Sequence, residues 1–165
     1  MYMTFPVTVA PQDRELVMTL AATALRQAAP EELVLLDETA TDYFTDPAST
    51  LAEDTDEAIS AGIDVPLLAP YLLAAAQVAL PLLGTFAAEI AKDAGKDLVK
   101  EPLVGWVRRF VKRSPAEQAG PVALTREQAL QVRQAVVENC RRLNLPSDTA
   151  AVVADATVGS LHVRP

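Results

Sequence analysis

Hydrophobic residues recur along most of this chain at the spacing of α-helices rather than of strands. Apolar positions three and four residues apart predict a first helix over about 12–28 and a second from Pro30 to about Asp46. The second helix should end there because a residue before proline is disfavoured in helical conformation. Alternating β-branched residues are confined to the two ends of the chain. The predicted inward-facing residues of these helices are Leu16, Leu20, Ala24, Leu25, Leu33, Leu36, Ala40 and Tyr43 or Phe44.

The centre of the chain is a stretch of 24 residues without a charge, 65–88. As one helix it would reach about 36 Å, more than the roughly 30 Å of a bilayer core. Seven of the 24 residues are alanine, which enters lipid only weakly, and Gln77 would lie near the bilayer centre. Pro81 either kinks a long helix or begins a new one, because proline lacks a backbone donor. We therefore expect an apolar, proline-broken helical hairpin over about 66–100 at the centre of the fold.

The orientation expected for a membrane span adds a second difficulty. The basic residues between 89 and 113 would stay in the cytoplasm, following the usual preference of Lys and Arg for that side. The acidic residues 1–64 would then lie outside, although they carry no basic and apolar leader of the kind that directs export. A buried core is the favoured interpretation of 65–88. A membrane segment and an apolar face that needs a partner are the alternatives.

A short basic amphipathic helix follows, in the sequence PLVGWVRRFVKR. Aromatic residues on one side and basic residues on the other are typical of a helix at a membrane interface. The favoured interpretation is an ordinary surface helix, with its aromatic residues inward and its arginines close to the acidic N-terminal part, and the membrane-interface helix is the alternative. The candidate contacts with a partner protein or with anionic lipid are Trp106, Arg108, Arg109, Phe110, Lys112 and Arg113.

The last third of the chain predicts a helical hairpin. Thr125 and Gln128 have the spacing of a capping box, which starts a helix that should run to about Leu143. The sequence NLPS then turns the chain, and Ser147 and Gly159 are the expected N-cap and the expected C′ residue, just past the end, of the last helix. The predicted inward face of the first helix of this hairpin is Ala129, Val132, Val136, Cys140 and Leu143, with Val137 at its edge.

Two helical parts and a linker describe the predicted organisation. Residues 1–113 form a helical domain with an acidic N-terminal part and an apolar and basic middle. Residues 114–121 hold two prolines and a glycine and are the linker. Residues 122–165 form the C-terminal hairpin, which we expect to pack on the rest. The acidic segment 47–64 predicts a loop with one or two helical turns, and we expect it to be the most mobile segment.

The net charge of -8 is distributed unevenly along the chain. Residues 1–64 carry 13 acidic and 2 basic groups, whereas 65–113 carry 4 acidic and 7 basic groups. Phosphate contacts need a positive surface, and the last predicted helix has no basic residue, so nucleic-acid binding is not expected. The acidic part is suited instead to pairing with the basic middle, in the same chain or in another.

Few residues are suited to catalysis. His162 is the one histidine and lies near the end of the chain, where we expect a frayed segment. Cys140 is the one cysteine, which excludes an intramolecular disulfide, fits a reducing compartment and predicts a buried structural thiol. Glu38, Asp42 and Asp46 share a helical face that we expect to be solvated rather than to bind a metal. The sequence therefore predicts no enzyme, catalytic residue, cofactor or metal site.

Two functions are consistent with these patterns. The first is a non-enzymatic, cytoplasmic interaction or assembly protein that self-associates through its apolar middle or binds another protein. The alternative is a membrane-associated or membrane-perturbing protein that uses residues 65–113, peripheral to or inserted in the inner membrane and attracted to its anionic surface. The alanine- and arginine-rich composition resembles that of proteins from high-GC bacteria.

Overall fold

Helices account for the secondary structure of the part of the chain that the structure describes. The computed structural model covers residues 11–52, 67–93, 103–112 and 122–164, without the side chains of 11, 12, 91 and 103–106. Within those residues, isolated bridges take the place of strands, and the predicted all-α fold is confirmed. The elements are α1 (Pro11–Ala28), a 3₁₀ helix (Pro30–Leu35), α2 (Leu36–Thr45), α3 (Ala69–Asp93), α4 (Leu103–Phe110), α5 (Arg126–Arg142) and α6 (Ser147–Gly159).

The N-terminal helices have the predicted inward faces. Leu16, Leu20, Ala24 and Leu25 of α1 are buried, as are Leu36, Ala40 and Tyr43 of the second helical segment. This segment begins as a 3₁₀ helix with Pro30 in its first turn and continues as α2, which ends at Thr45 with Asp46 as its C-cap, at the predicted stop before Pro47. The Asp46 carboxylate then accepts a hydrogen bond from the Ser49 N–H (3.1 Å) and starts the helical turns over 47–52. The rest of the predicted mobile loop, 53–64, lies outside the described residues, as does the N-terminal segment FPVTVAP.

The central helix α3 is the core of the fold. It packs against α1, the 3₁₀ helix, α2, α4, α5 and α6. Every residue from Leu68 to Ala76 is buried, so this part of the helix faces protein on all sides. A helix that is apolar all round is stable only when it is enclosed in this way. The favoured interpretation of the uncharged stretch, a buried core, therefore describes the first half of α3.

Of the two alternatives at Pro81, a long helix rather than the start of a new one is observed, and the expected proline-broken hairpin is wrong. One continuous helix runs from Ala69 to Asp93 with Pro81 inside it, so the centre of the fold is a single helix rather than a hairpin. Proline removes the N–H that would bond to the carbonyl of Gln77. Pro81 lies on the exposed side of α3 and Gln77 is only partly buried, so water can reach that carbonyl. The position of the proline relative to the core, which the sequence pattern does not contain, makes it tolerable.

A polar contact compensates for the one amide within the apolar half of α3. The buried hydroxyl of Tyr43 donates a hydrogen bond to Oε1 of Gln77 (2.5 Å) and ties α2 to the middle of α3. Burial raises the pKa of the Tyr43 hydroxyl well above its usual value. The phenol therefore remains a proton donor, and Gln77 is satisfied within the protein rather than in lipid.

The C-terminal hairpin is formed by α5 and α6, which pack on α1 and α3. The predicted capping box is confirmed: Thr125 Oγ1 accepts from the Gln128 N–H (3.1 Å), and Gln128 Oε1 accepts from the Thr125 N–H (2.9 Å). Cys140 is buried as predicted, and burial raises the pKa of its thiol to about 11. The predicted inward residues Ala129, Val132 and Val136 are buried with it, and Val137 and Leu143 pack at the edge of the core.

The turn between α5 and α6 lies where NLPS predicts it, at Asn144. Asn144 has a φ of 61°, the left-handed region. The Asn144 N–H donates to the carbonyl of Arg141 (3.0 Å), and the Leu145 N–H donates to the carbonyl of Cys140 (3.0 Å). These two bonds are those of a Schellman motif, with asparagine in the position that glycine usually takes.

Two predicted ends of the last helix are wrong. Ser147 is the first helical residue rather than the N-cap, because Pro146 occupies the N-cap position and offers no side-chain hydrogen bond. Gly159 is the last residue of α6 and is followed by Ser160 as C-cap. Its small size serves packing instead: an added Cβ would come within 2.3 Å of Gln27 Oε1, and Nε2 of Gln27 donates to the Gly159 carbonyl (2.9 Å).

Candidate interaction surfaces

The predicted contact residues on α4 separate into exposed and buried ones. Arg108 and Arg109 are exposed and Lys112 is half-buried, and we call these three residues the basic surface. Phe110 is fully buried in the core, so it contacts neither lipid nor a partner in this structure. The backbone of Trp106 lies in α4, but its side chain and all of Arg113 lie outside the described residues. For Phe110, the favoured interpretation as a surface helix with inward aromatic residues is confirmed.

The basic surface contacts the acidic N-terminal part of the chain through Arg108. Nη2 of Arg108 lies 3.3 Å from Oε2 of Glu15 on α1. Both side chains are at least half exposed, at 50% and 66%, so solvent screens this ion pair and its contribution to stability is small. Among the described residues, the predicted pairing of acidic and basic parts therefore occurs within the chain through this weak Arg108–Glu15 contact, which leaves both side chains accessible.

The C-terminal segment holds the end of α4 in place. The Lys112 N–H donates to the carbonyl of Ser160 (2.8 Å), and the His162 N–H donates to the carbonyl of Phe110 (2.7 Å). On the other side of the C-terminal segment, the His162 carbonyl accepts a hydrogen bond from the Leu124 N–H (2.8 Å). The hydroxyl of Thr23, buried in α1, donates to the Lys112 carbonyl (3.0 Å). These bonds fix the position of the basic surface relative to α1.

His162 is part of this segment and is buried, which corrects the expectation of a frayed end. Bridges join Val111 to Leu161 and Leu124 to Val163, so backbone pairing secures the segment on both sides. Two isolated bridges are too short to produce a strand pattern in the sequence, which explains the wrong prediction. The imidazole belongs to the packed interior and not to an accessible site.

A second surface is an apolar corner, which we define as Val34, Leu35 and Leu67. Their side chains are 86%, 40% and 44% exposed. Val34 and Leu35 end the 3₁₀ helix, and Leu67 lies just before α3, where that helix begins. Exposed apolar residues are ordinary when scattered, whereas a group with a polar rim marks an interaction site. The exposed carboxylates of Glu31 and Glu38 flank the corner.

Glu32 holds the apolar corner together. Its buried carboxylate accepts hydrogen bonds from the N–H groups of Leu68 (3.1 Å) and Ala69 (2.9 Å). These donors belong to the start of α3 and have no partner within that helix, so Glu32 acts as its N-cap from a distant part of the chain. Because the bonds reach Leu68, they bring Leu67 close to the end of the 3₁₀ helix.

This corner is not among the features predicted from the sequence, although the sequence contains a clue to it. Residues 33–36 are four consecutive apolar residues, and a surface helix can turn only part of such a run inward. Leu36 is buried and Leu33 packs against the core. Val34 and Leu35 are the two residues of this run that cannot turn inward, and they remain exposed. Leu67 could not be assigned to the same place from the pattern, since the Glu32 contact alone brings it there.

The described residues contain no group of three or more His, Cys, Asp or Glu side chains suited to hold a metal ion. Glu38, Asp42 and Asp46 are all exposed, as predicted for a solvated acidic face. Among the described helices, one, over Ala69–Ile90, is long and apolar enough to cross a membrane, and 56% of its most apolar window is buried inside the fold. The core helix of a soluble protein passes the same test, so this is weak evidence for a span.

Comparisons of this chain with protein-family models, with curated proteins and with solved structures find no match. The chemistry of the basic surface and of the apolar corner is what points to a function.

Proposed function

We propose that this protein is a non-enzymatic, cytoplasmic assembly protein that self-associates through its apolar corner. The observation that carries the proposal is the exposure of three apolar residues, Val34, Leu35 and Leu67, on two segments that the Glu32 hydrogen bonds to the start of α3 join. Leu67 belongs to the uncharged stretch 65–88, so the apolar middle takes part in association through its first exposed residues. Leu68 to Ala76 are buried in the core of their own chain and are therefore inaccessible to a partner.

The experiment that tests this proposal is sizing by light scattering over a range of protein concentrations. Burial of one valine side chain contributes about 1.5–3 kcal/mol, so Val34→Ser should weaken self-association by about 10- to 100-fold. Leu130→Ser is the matched control, because Leu130 is also an exposed apolar residue (65%) but lies alone on α5. A chain that stays monomeric at every concentration contradicts the proposal, as does an equal effect of the two substitutions.

Membrane association is a second candidate, favoured by the length and composition of α3 and by the exposed arginines of the basic surface. Lipid contact of the first half of α3 or of Phe110 requires the fold to open, since Leu68 to Ala76 and Phe110 are packed inside it. Flotation with anionic and neutral liposomes separates the two candidates. Binding to anionic vesicles that is lost when Arg108, Arg109, Lys112 and Arg113 are together changed to Glu supports the peripheral version. Protein that remains at the bottom of the gradient excludes it.

A further inference from the structure

The first turns of α1 separate the acidic and basic parts of one chain. The guanidinium carbon of Arg14 lies 5.2 Å from the ring centre of Phe44 on α2. The next residue, Glu15, reaches Arg108 on α4. Consecutive residues of a helix point about 100° apart, so α2 and α4 flank α1 on different sides. Among the described elements, α2 packs on the 3₁₀ helix and α3, whereas α4 packs on α1 and α3.

The acidic side of this arrangement is aligned with the apolar corner. Glu31, Val34 and Glu38 are spaced by three and four residues along a continuous helical segment, and all three are exposed. Residues at these spacings lie on one side of a helix. A carboxylate thus stands on each side of the most exposed apolar residue. This arrangement suits a partner that offers positive groups on long apolar stems.

Arginines on α4 have the matching chemistry. Arg108 and Arg109 are exposed in the last turn of α4, and Arg108 already pairs with a carboxylate, that of Glu15. Arginine can lay its aliphatic stem on apolar surface while its guanidinium pairs with carboxylates. The segment 65–113, which contains this turn, is also the one part of the chain with more basic than acidic groups, 7 against 4.

We infer that the acidic rim and apolar corner of one copy dock on the basic surface of a second copy. This inference rests on the proposed self-association and names the surface that meets the corner. Glu31 and Glu38 pair with the exposed guanidinium groups of Arg108 and Arg109 of the other chain in exchange for the contacts that both arginines make within their own chain, and the arginine stems cover Val34. The exposed pair with Glu15 is exchangeable and adds an acidic group at the edge of the contact.

The contact joins two different surfaces, so it is of the head-to-tail kind. Each copy that docks leaves one acidic and one basic surface open, and assembly continues unless a ring closes. The mean mass should therefore rise with concentration. Exposed charges are screened beyond about 8 Å at physiological ionic strength and beyond about 3 Å at 1 M salt. We expect the apparent dissociation constant to rise about tenfold or more between 0.05 and 0.5 M NaCl.

Two charge-reversed variants of the full chain test the inference. Arg108→Glu with Arg109→Glu reverses the basic surface, and Glu31→Lys with Glu38→Lys reverses the acidic rim. Each variant alone should be monomeric, because its two surfaces then have the same sign. An equimolar mixture should associate again, since each variant keeps one natural surface that complements the other. Analytical ultracentrifugation measures the masses, and circular dichroism on thermal unfolding verifies that each variant is folded.

The matched control is Arg141→Glu with Arg142→Glu. These arginines are also adjacent and exposed in the last turn of a helix, α5. Either pair of changes takes the net charge from -8 to -12, because each Arg→Glu change replaces a positive with a negative charge and lowers the net charge by two. The control should assemble as the wild type does.

The outcomes distinguish this inference from the proposed function. Monomeric single variants whose mixture associates support the docking. Variants that self-associate like the wild type overturn the docking and leave the proposed self-association intact. The same applies when both variants are monomeric and their mixture is too. A wild-type chain that is monomeric at every concentration and salt overturns both.

Discussion

The carboxylate of Glu32 is the strongest single test of the fold, because it caps the core helix from outside that helix. Its two acceptor bonds, 3.1 and 2.9 Å, go to the N–H groups of Leu68 and Ala69, which are 7% and 1% exposed. Glu32→Ala leaves two buried donors at the start of α3 without a protein acceptor. A buried group that loses its partner costs about 1–3 kcal/mol. We expect Glu32→Ala to lower the free energy of unfolding by about 2–4 kcal/mol, somewhat less than the sum for two groups because water can enter.

The measurement is urea unfolding followed by circular dichroism, at low protein concentration and 0.5 M NaCl so that association does not contribute. For a chain of this size the same loss corresponds to a fall in Tm of about 4–16 °C. Glu32→Gln keeps a carbonyl acceptor but loses the charge, and should cost about 1–2 kcal/mol. Glu31→Ala is the matched control, because Glu31 is the neighbour of Glu32 in the same first turn but is exposed. Removal of the Glu31 carboxylate should cost under about 1 kcal/mol. Equal losses for Glu31→Ala and Glu32→Ala would refute the capping role.

Three further predictions follow from single contacts. Burial raises the pKa of the Cys140 thiol from 9.0 to about 11, so the native thiol should react with a thiol reagent at pH 8 at least about 100-fold more slowly than the thiol in urea. The thiol ionises at lower pH in the unfolded chain, so the free energy of unfolding of the wild type should also fall more between pH 9 and 11 than that of Cys140→Ala. Parallel pH profiles of the two proteins would contradict this. Asn144→Gly should raise the free energy of unfolding by up to about 1 kcal/mol, and Asn144→Ala should lower it by about 1, because only glycine adopts the φ of 61° without strain; urea midpoints in the opposite order would exclude the Schellman turn. Gly159→Ala should stabilise by about 0.5–1 kcal/mol in a Gln27→Ala background but not in the wild type, where the new Cβ displaces Gln27; a double-mutant cycle without coupling would refute this packing role.

Local features were predictable from the sequence, whereas contacts between distant segments were not. The capping box of Thr125 and Gln128 joins residues three apart, so the sequence alone specifies it. The inward face of α5 follows likewise from spacing within one helix. The tolerance of Pro81 depends on which side of α3 faces solvent, and the burial of Phe110 depends on where α4 lies. Spacing within one helix contains neither fact.

The apolar corner is the clearest case of a feature that needs the tertiary structure. It forms because Glu32 bonds to backbone groups 36 and 37 residues away. The same carboxylate therefore determines both the stability of α3 and the proximity of Leu67 to the 3₁₀ helix. If the corner is the interface, a change that loosens the cap should weaken association even where the protein remains folded.

Glu32→Gln and Tyr43→Phe separate these two effects. Tyr43→Phe removes the hydrogen bond to Gln77, which lies between α2 and the middle of α3, and should cost about 1 kcal/mol, similar to Glu32→Gln. The two variants are thus matched in stability but differ in the region that they disturb. Sizing by light scattering should find weaker self-association for Glu32→Gln alone, because only that change loosens the contact between the start of α3 and the 3₁₀ helix. Equal weakening by Tyr43→Phe would mean that association responds to overall stability, and the link between the cap and the corner would be wrong.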